Sequence, residues 1–423
     1  MLDIKFIREN ADIVKMAAKK KHIDVDIDRL LSVDDSRREL MSKLEDKRAL
    51  QNAASKEIAT AGDPEEREAK IKTMGDVKEA IQAIEAKLKP VMEEWQSLML
   101  QVPQIPDMTV PDGTSDADNE EVKVWGEPTK FSFDAKDHVK IMTDLNMVDF
   151  ERGSKVHGFR GYYLLGDGAR LSYAIWNYAM DFFGEKGFIP MLPPTIVRKP
   201  NLFGTGHLPN EAEDLYFTQD DDVLIGTSEV SVMGYHSDEV LEAEQLPLKY
   251  IGFSPCYRRE AGSHGKDVKG LIRVHEFYKV EQVMLCQASH EESVKWHDWI
   301  NRNTEEFIES LGIPYHTVVN CGGDLGQGQV KKYDIELWVP KEETYREISS
   351  ASYFHDFQTR RFNIRYKDSE GKLRYAHSLN CTAIPTPRIL VSLIENFQQA
   401  DGSVAIPEPL QMYIGKDMIR KEG

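Results

Sequence analysis

Between Phe253 and Val283 the chain reads FSPCYRREAGSHGKDVKGLIRVHEFYKVEQV. Two apolar, β-rich runs flank a polar centre punctuated by Gly262, Gly265 and Gly270, a pattern that predicts two antiparallel strands joined by a long loop. Charges fall where such a pair wants to be covered: Arg258, Glu260, Arg273, Glu276 and Glu281. A guanidinium or carboxylate under cover needs a partner, and a substrate can be that partner. In an arbitrary hairpin the same charges would be solvated surface ion pairs. Further on, Thr344-Tyr345-Arg346-Glu347-Ile348-Ser349-Ser350 sets a carboxylate and a hydroxyl three residues apart. Oxygen donors of that kind suit Mg²⁺ held between phosphates. Arg388 follows Pro387 at an expected helix start, where anions are favoured. Taken singly, the Glu/Ser pair reads as a plain strand end and the arginine as a surface residue.

The wording around these residues ties them together. Tyr257-Arg258-Arg259-Glu260 followed by Arg273-Val274-His275-Glu276-Phe277 closely resembles motif 2 of class II aminoacyl-tRNA synthetases. The fuller AGSHGKDVKGLIRVHEF is similar to the form found in seryl-tRNA synthetases. Asn380-Cys381-Thr382-Ala383-Ile384-Pro385-Thr386-Pro387-Arg388, with Ile389-Leu390-Val391 and Glu395-Asn396 after it, resembles motif 3. A helical pattern over 169–186 (Leu171, Ile175, Tyr178 and Phe182 on one face) runs into an extended 187–194, and looks like motif 1, the dimer-interface element. Gly226-Thr227-Ser228-Glu229 resembles the family's serine-binding Thr-x-Glu segment, with Ser228 where alanine is usual. The 344–350 stretch resembles its metal-ATP segment. The following Ala351-Ser352-Tyr353-Phe354-His355 departs from the cysteine-bearing wording common in the family.

This resemblance implies an ATP-dependent ligase, forming AMP and diphosphate, that activates L-serine to seryl-adenylate. It then transfers serine to the 3′ end of tRNA(Ser), and of tRNA(Sec) where that exists. It implies roles by position. Arg258 bridges the serine carboxylate and the α-phosphate. Arg388 takes the γ-phosphate and covers the adenine, with Phe277 stacked on its other face. Glu260 and the backbone around Val274 read the adenine edge. Arg259, Arg273 and the run Glu347-Ile348-Ser349-Ser350 complete the ATP site, with Mg²⁺ at Glu347 and Ser350. Thr227, Ser228, Glu229, Glu281, Asn380 and Thr382 hold serine. No protein nucleophile is needed, and the ordinary bacterial form carries no zinc-bearing insertion.

The elements that must position these groups can be read around them. At 423 residues two or more domains are expected. From residue 28 to 100 aromatics vanish except Trp95, and Ala, Glu, Lys, Leu and Gln dominate. Ile71, Met74, Val77, Ile81, Ile84, Leu88, Val91, Trp95 and Leu98 recur at three- and four-residue steps, and Leu30, Val33, Leu40, Leu44, Ala54 and Ile58 repeat this more weakly upstream. Ala61-Gly62-Asp63-Pro64 breaks the pattern, so two helices of roughly thirty residues form an antiparallel arm of about 45–50 Å. A generic dimerisation coil would look alike; in the family such an arm holds the tRNA, and Lys43, Lys47, Arg48, Lys56, Arg67, Lys70, Lys72 and Lys78 are candidate phosphate contacts. Lys19-Lys20-Lys21 reads as a solvated helix end. Residues 101–121, rich in Pro, Gly and acids, read as a linker. The expected organisation is 1–100 tRNA-binding domain, 101–121 linker and 122–423 catalytic domain, an α+β fold whose antiparallel sheet carries the site.

Composition excludes other classes. The formal charge of -18 argues against indiscriminate nucleic-acid binding, though not against a local patch that meets one structured RNA. Cys256, Cys286, Cys321 and Cys381 have no CxxC spacing, which points to a reducing compartment and no zinc motif. The charged opening is unlike a signal peptide, and no apolar run approaches the roughly twenty residues of a membrane span. Neither GxGxxG nor GxxxxGKS occurs. A cytoplasmic homodimer is expected. Three rivals remain open: a carrier-protein-loading relative, which would lack the arm; a catalytically dead homologue, which would have lost Arg258, Glu260 or Arg388; and a structural coiled coil, which leaves the aromatic-bearing remainder unexplained.

Overall fold

The computed structural model of the protein describes residues 1–60, 64–262, 265, 267 and 269–421. The turn expected at Ala61-Gly62-Asp63 therefore lies outside the described residues. Two units are distinguished, Met1–Ile105 and Pro106–Gly423.

In the first unit, short helices Ile4–Glu9 and Ala11–Lys20 precede two long ones, Ile27–Thr60 and Pro64–Gln101. At 34 and 38 residues the long pair spans roughly 51 and 57 Å. They run antiparallel, cross-linked by Arg29–Glu94 at 2.7 Å and Arg48–Glu85 at 2.8 Å. The seam is unevenly filled. Leu30, Val33, Leu44 and Ile81 are buried, whereas Ile71 is 53% exposed. Two helices alone cover only one stripe of each other, and the third layer exists only at the base. There Leu2, and Ile7 and Val14 of the short helices, close over Ile27, Leu30, Met99 and Val102. Lys21 corrects the reading of a solvated triple-lysine end. It is buried, and burial pushes its pKa down to about 7.

The stretch 101–121 is held at both ends. Val102 belongs to the base of the first unit. From residue 107 the chain is fastened to the second unit: the Asp107 N–H donates to the Val330 carbonyl and Tyr353 Oη donates to Asp107 at 2.7 Å. Asn119 accepts the Cys321 N–H at 2.9 Å.

The second unit is organised by an eight-stranded sheet. In chain order its strands are β1 Glu120–Trp125, β2 Ile189–Met191, β3 Leu248–Tyr257, β4 Glu276–Cys286, β5 Tyr315–Val319, β6 Lys331–Val339, β7 Thr344–His355 and β8 His377–Thr386. In space they run β1-β5-β6-β7-β8-β4-β3-β2, antiparallel except for the parallel β2–β3 pair. The two halves of the opening stretch, β3 and β4, pair in continuous register from Tyr257↔Glu276 to Leu248↔Leu285.

One face of this sheet is covered by the helix His290–Leu311. Ser289 caps it, accepting the Glu292 N–H, and Gly312 ends it with φ +70°. Its buried positions His297, Ile300, Thr304, Phe307, Ile308 and Leu311 recur at three- and four-residue steps, giving one inward stripe. Gln282 of β4 reaches this helix, donating to the Ile300 carbonyl and Thr304. Side chains alternate along a strand, so Phe277, Lys279 and Glu281 face the other way. That other face carries the cavity. The helix Gly166–Glu185 with β2 supplies the element read as motif 1, and its Trp176 donates to Thr386 at the end of β8. Among the described residues no helix is long and apolar enough to cross a membrane.

Candidate active site

On the uncovered face lies a cavity of about 430 Å³, lined from β4, β6, β7, β8, the segment just after β3 and the loops around 205–229 and 324–329. Thr227, Glu229, Arg258, Glu260, Val274, Phe277, Glu281, Glu347, Ile348, Ser350, Asn380, Thr382 and Arg388 all line it. Five chain segments spread over about 160 residues, from Thr227 to Arg388, thus meet in one space.

One end is cationic. Arg258 leaves β3 with its backbone N–H on the His275 carbonyl at 2.9 Å. Its Nε donates to the Gly226 carbonyl at 3.3 Å and its guanidinium lies 5.4 Å over the Phe277 ring. Arg388 opens the helix Arg388–Asn396, and its Nε and Nη1 are held by the Ile272 and Glu347 carbonyls at 2.9 and 3.0 Å. Burial lowers the pKa of Arg388; Arg258 and Arg273 lower it further, against the field of Glu347. Guanidiniums that repel one another across a cavity, each oriented by neutral carbonyls, make a site for anions.

The opposite end is anionic and more deeply buried. Glu281 of β4 and Thr382 of β8 lie directly across from each other, and the Thr382 hydroxyl donates to Glu281 at 3.2 Å. The Lys279 ammonium contacts Glu281, donates to Thr227 Oγ1 at 2.8 Å and approaches Thr382 Oγ1 at 3.4 Å. Glu229 receives a hydrogen bond from Gln358 at 2.6 Å, and Gln358 in turn accepts one from Ser378 at 2.7 Å. Burial raises the Glu229 pKa, against the pull of His207 and Gln358. A ligand with an ammonium at one end and anionic groups at the other is the complement of this gradient.

Glu347 and Ser350 reach the cavity together because of a defect in the sheet. Two residues an odd number apart on a regular strand point to opposite faces. Here β6 and β7 slip between Ile335 and Glu336: Ser350 pairs with Asp334 and Ser349 with Ile335, but Glu347 pairs with Glu336, leaving Ile348 as the extra residue. That bulge turns both oxygens to one side. A carboxylate plus a hydroxyl is a hard, incomplete donor set, one that fits a cation whose remaining ligands are phosphate oxygens and water. Among the described residues no group of three or more His, Cys, Asp or Glu could hold a metal ion.

Four residues read as site contacts stand elsewhere. Ser228 is buried against Gly252, where an added Cβ would lie 2.7 Å from its Oγ. Ser349 points into the core and donates to the Thr382 carbonyl. Arg273 is turned onto Glu260 at 2.5 Å, with Asp267 beside it, rather than into the cavity. Arg259 is exposed and does not line the cavity; its backbone N–H donates to the Asp214 carbonyl and its charge acts on Tyr216. Conversely, Lys279 lines the cavity and Gln358 holds Glu229 from behind, and neither is among the residues expected from sequence. Lys279 alternates with Phe277 and Glu281, so period-two reading of β4 was enough to find it. Gln358 had no such mark; only the folded chain brings it to Glu229.

Comparison with known proteins agrees with both units. Residues 216–397 match the family model "tRNA synthetase class II core domain (G, H, P, S and T)", and residues 1–106 match "Seryl-tRNA synthetase N-terminal domain". A serine--tRNA ligase of Deinococcus radiodurans is 44% identical over 416 residues, 98% of each chain. One of Thermodesulfovibrio yellowstonii is 42% identical over 426 residues, 99% of this chain and all of that one. Among solved structures, seryl-tRNA synthetase from Pyrococcus horikoshii complexed with ATP superposes with a TM-score of 0.90 at 36% identity, covering both chains fully. The cytoplasmic enzyme of Naegleria fowleri in complex with AMP gives 0.87 at 32% identity, covering all of this chain and 99% of the other.

Proposed function

The chain belongs to the seryl-tRNA synthetases, and from that premise we propose how its cavity divides the work of activating serine with ATP and charging tRNA(Ser). The observation that carries the assignment is the charge gradient: Glu229 and Glu281 at one end, Arg258 and Arg388 at the other. The serine ammonium goes to Glu229 and Thr227, with Asn380 beside them, and its hydroxyl to Glu281 and Thr382. Lys279 holds Glu281 and the two threonines in place. The serine carboxylate then lies on Arg258, which also takes the α-phosphate, so two anions that repel in water are held together for attack. Attack of the carboxylate oxygen on the α-phosphorus forms seryl-adenylate and expels pyrophosphate. Arg388 takes the γ-phosphate and, with Phe277, sandwiches the adenine, whose edge meets Glu260 and the backbone at Val274. Glu347 and Ser350 would hold Mg²⁺, which when bound would neutralise charge on the departing pyrophosphate. The terminal ribose hydroxyl of the tRNA then attacks the seryl carbonyl and releases AMP. No side chain is required as a nucleophile.

Ser228 and Ser349 serve the site as packing, and Arg273 can join the phosphates only by leaving Glu260. The antiparallel arm reaches the tRNA, supported by its length and its exposed basic residues. Of these, Lys43 is engaged by Glu39 and Arg48 by Glu85. Arg67 and Lys70 have side chains outside the described residues. The element of Gly166–Glu185 and β2 meets a second copy of the chain; exposed Tyr173, Ile189, Leu192 and Ile196 supply an apolar face for it. Four free, buried cysteines suit the reducing cytoplasm. Amino-acid-dependent ATP–pyrophosphate exchange across all twenty amino acids tests the assignment. Serine alone should support exchange; exchange with another amino acid and not serine refutes it.

A further inference from the structure

Glu395 stands two turns into the helix that Arg388 opens, and its carboxylate is fully committed. Oε1 accepts the His138 backbone N–H at 2.9 Å and meets His138 Nδ1 at 2.8 Å, while Oε2 accepts the Lys341 N–H at 3.0 Å. The other ring nitrogen, His138 Nε2, accepts the backbone N–H of Leu271 at 3.3 Å. His138 and Glu395 are both buried. An ionised carboxylate only accepts and an amide N–H only donates, so one ring form satisfies both partners: the neutral imidazole with its proton on Nδ1. The approach is close enough to dictate sequence. Gly270 has φ +84°, and an added Cβ would come within 2.2 Å of His138 Nε2. The backbone held in this way leads straight into the cavity, because Leu271, Ile272 and Val274 line it and the Ile272 carbonyl holds Arg388.

We propose that His138 is a positioning residue for adenylate formation. Through Leu271 it locks the chain returning from the 258–270 loop against the helix of Arg388, and so sets the distance between the two walls of the nucleotide end. It touches no substrate. The serine end, built from Thr227, Glu281 and Thr382, is anchored by other strands and should not feel it. The inference rests on Val274 and Arg388 forming the nucleotide end.

The test uses the full-length protein and the exchange reaction. In His138→Asn the side-chain amide can serve Glu395 but cannot reach Leu271; in His138→Gln its oxygen reaches the Nε2 position. His138→Asn should raise KM for ATP about tenfold, with KM for serine within about twofold, since small displacements at a reacting centre are costly. His138→Gln should recover most of the loss. Gly270→Ala, which crowds the same contact, should repeat the ATP defect. ¹⁵N spectra of histidine-labelled protein should show, beside the Nδ1–H signals of other histidines such as His275, an Nδ1–H ring signal that disappears in both His138 variants. An Nε2–H ring at that position, equal rises in both KM values, or no rise in His138→Asn overturns the proposal. Arg388→Ala separates the failures: a raised KM for ATP there with none in His138→Asn sinks the positioning role alone. No rise in Arg388→Ala sinks the nucleotide assignment and this inference with it.

Discussion

Arg258 is presented to the cavity with one guanidinium edge on the Gly226 carbonyl and its plane against Phe277, so its orientation precedes any ligand. Removing a preorganised charge aimed at a transition state costs on the order of 3 kcal/mol, about a hundredfold. Arg258→Ala should therefore lose exchange activity at least to that extent while its circular dichroism spectrum stays unchanged. Near-normal exchange in the folded variant would refute the assignment. At the other end, alanine in place of serine would leave the Glu281, Thr382 and Lys279 polar groups short of a partner. Sites of that kind discriminate by roughly 10⁴ or more. Thr382→Val removes one of the hydroxyls in that network, so serine activation should weaken and the serine-to-alanine ratio of kcat/KM should narrow. A ratio that does not move would show that the hydroxyl is read elsewhere.

The arm is an element with a testable separability. Adenylate formation needs only small substrates, and the cavity residues 205–388 all lie in the second unit. Shortening the arm on the base side of the Arg48–Glu85 bridge, with the helices rejoined near Leu44 and Leu88, leaves the base core of Ile7, Val14, Leu30 and Met99 intact. Such a variant should keep serine-dependent exchange and lose tRNA charging, chiefly through a raised KM for tRNA. Wild-type charging should also fall steeply with salt, since contacts to phosphates release counterions. Charging that survives the truncation at ordinary tRNA concentration would remove the arm's role.

At the scale of the whole molecule, acid stability is governed by His297, buried under the sheet, and by the half-buried His355 and His377 at strand ends of β7 and β8. Burial pushes the His297, His355 and His377 rings down to about 4 each; His297 is held against this by the Ala351 carbonyl, and His355 is lowered further by His377 and His290. An unfolded chain binds those protons near pH 6.5, the folded one only near 4, so unfolding takes up as many as three protons in between. Stability should be full above about pH 6.5 and fall as pH drops toward 4. Urea midpoints measured from pH 7 to 4.5 should decline accordingly, and His297→Gln should flatten the slope by about one proton. Midpoints independent of pH across that range would contradict neutral burial. Hydrogen-bonded carboxylates act in a lower window: Asp107 and Glu309 are held at about 2, so their contribution disappears only below pH 4.

Much of this protein is legible in one dimension, because local chemistry writes itself at fixed periods. The three- and four-residue recurrence from Ile71 to Leu98 specifies a long helix whatever surrounds it. The apolar runs around the glycines of 262–270 specify two paired strands, and the wording from Tyr257 to Phe277 and from Asn380 to Arg388 carries the ATP and serine chemistry. Side-chain direction is another matter. It depends on register, and one extra residue in a strand moves a side chain to the opposite face. The slip opposite Ile348 is what brings Glu347 and Ser350 together while burying Ser349. The nearness of Gly252 is what turns Ser228 into packing. Burial sends Arg273 to Glu260, and tertiary approach alone delivers Gln358 to Glu229 and His138 to Leu271. Which residue types gather at the cavity was legible in the sequence; which of them face into it was decided by strand register and by contacts between separate segments, Gln358 with Glu229 and His138 with Leu271 among them.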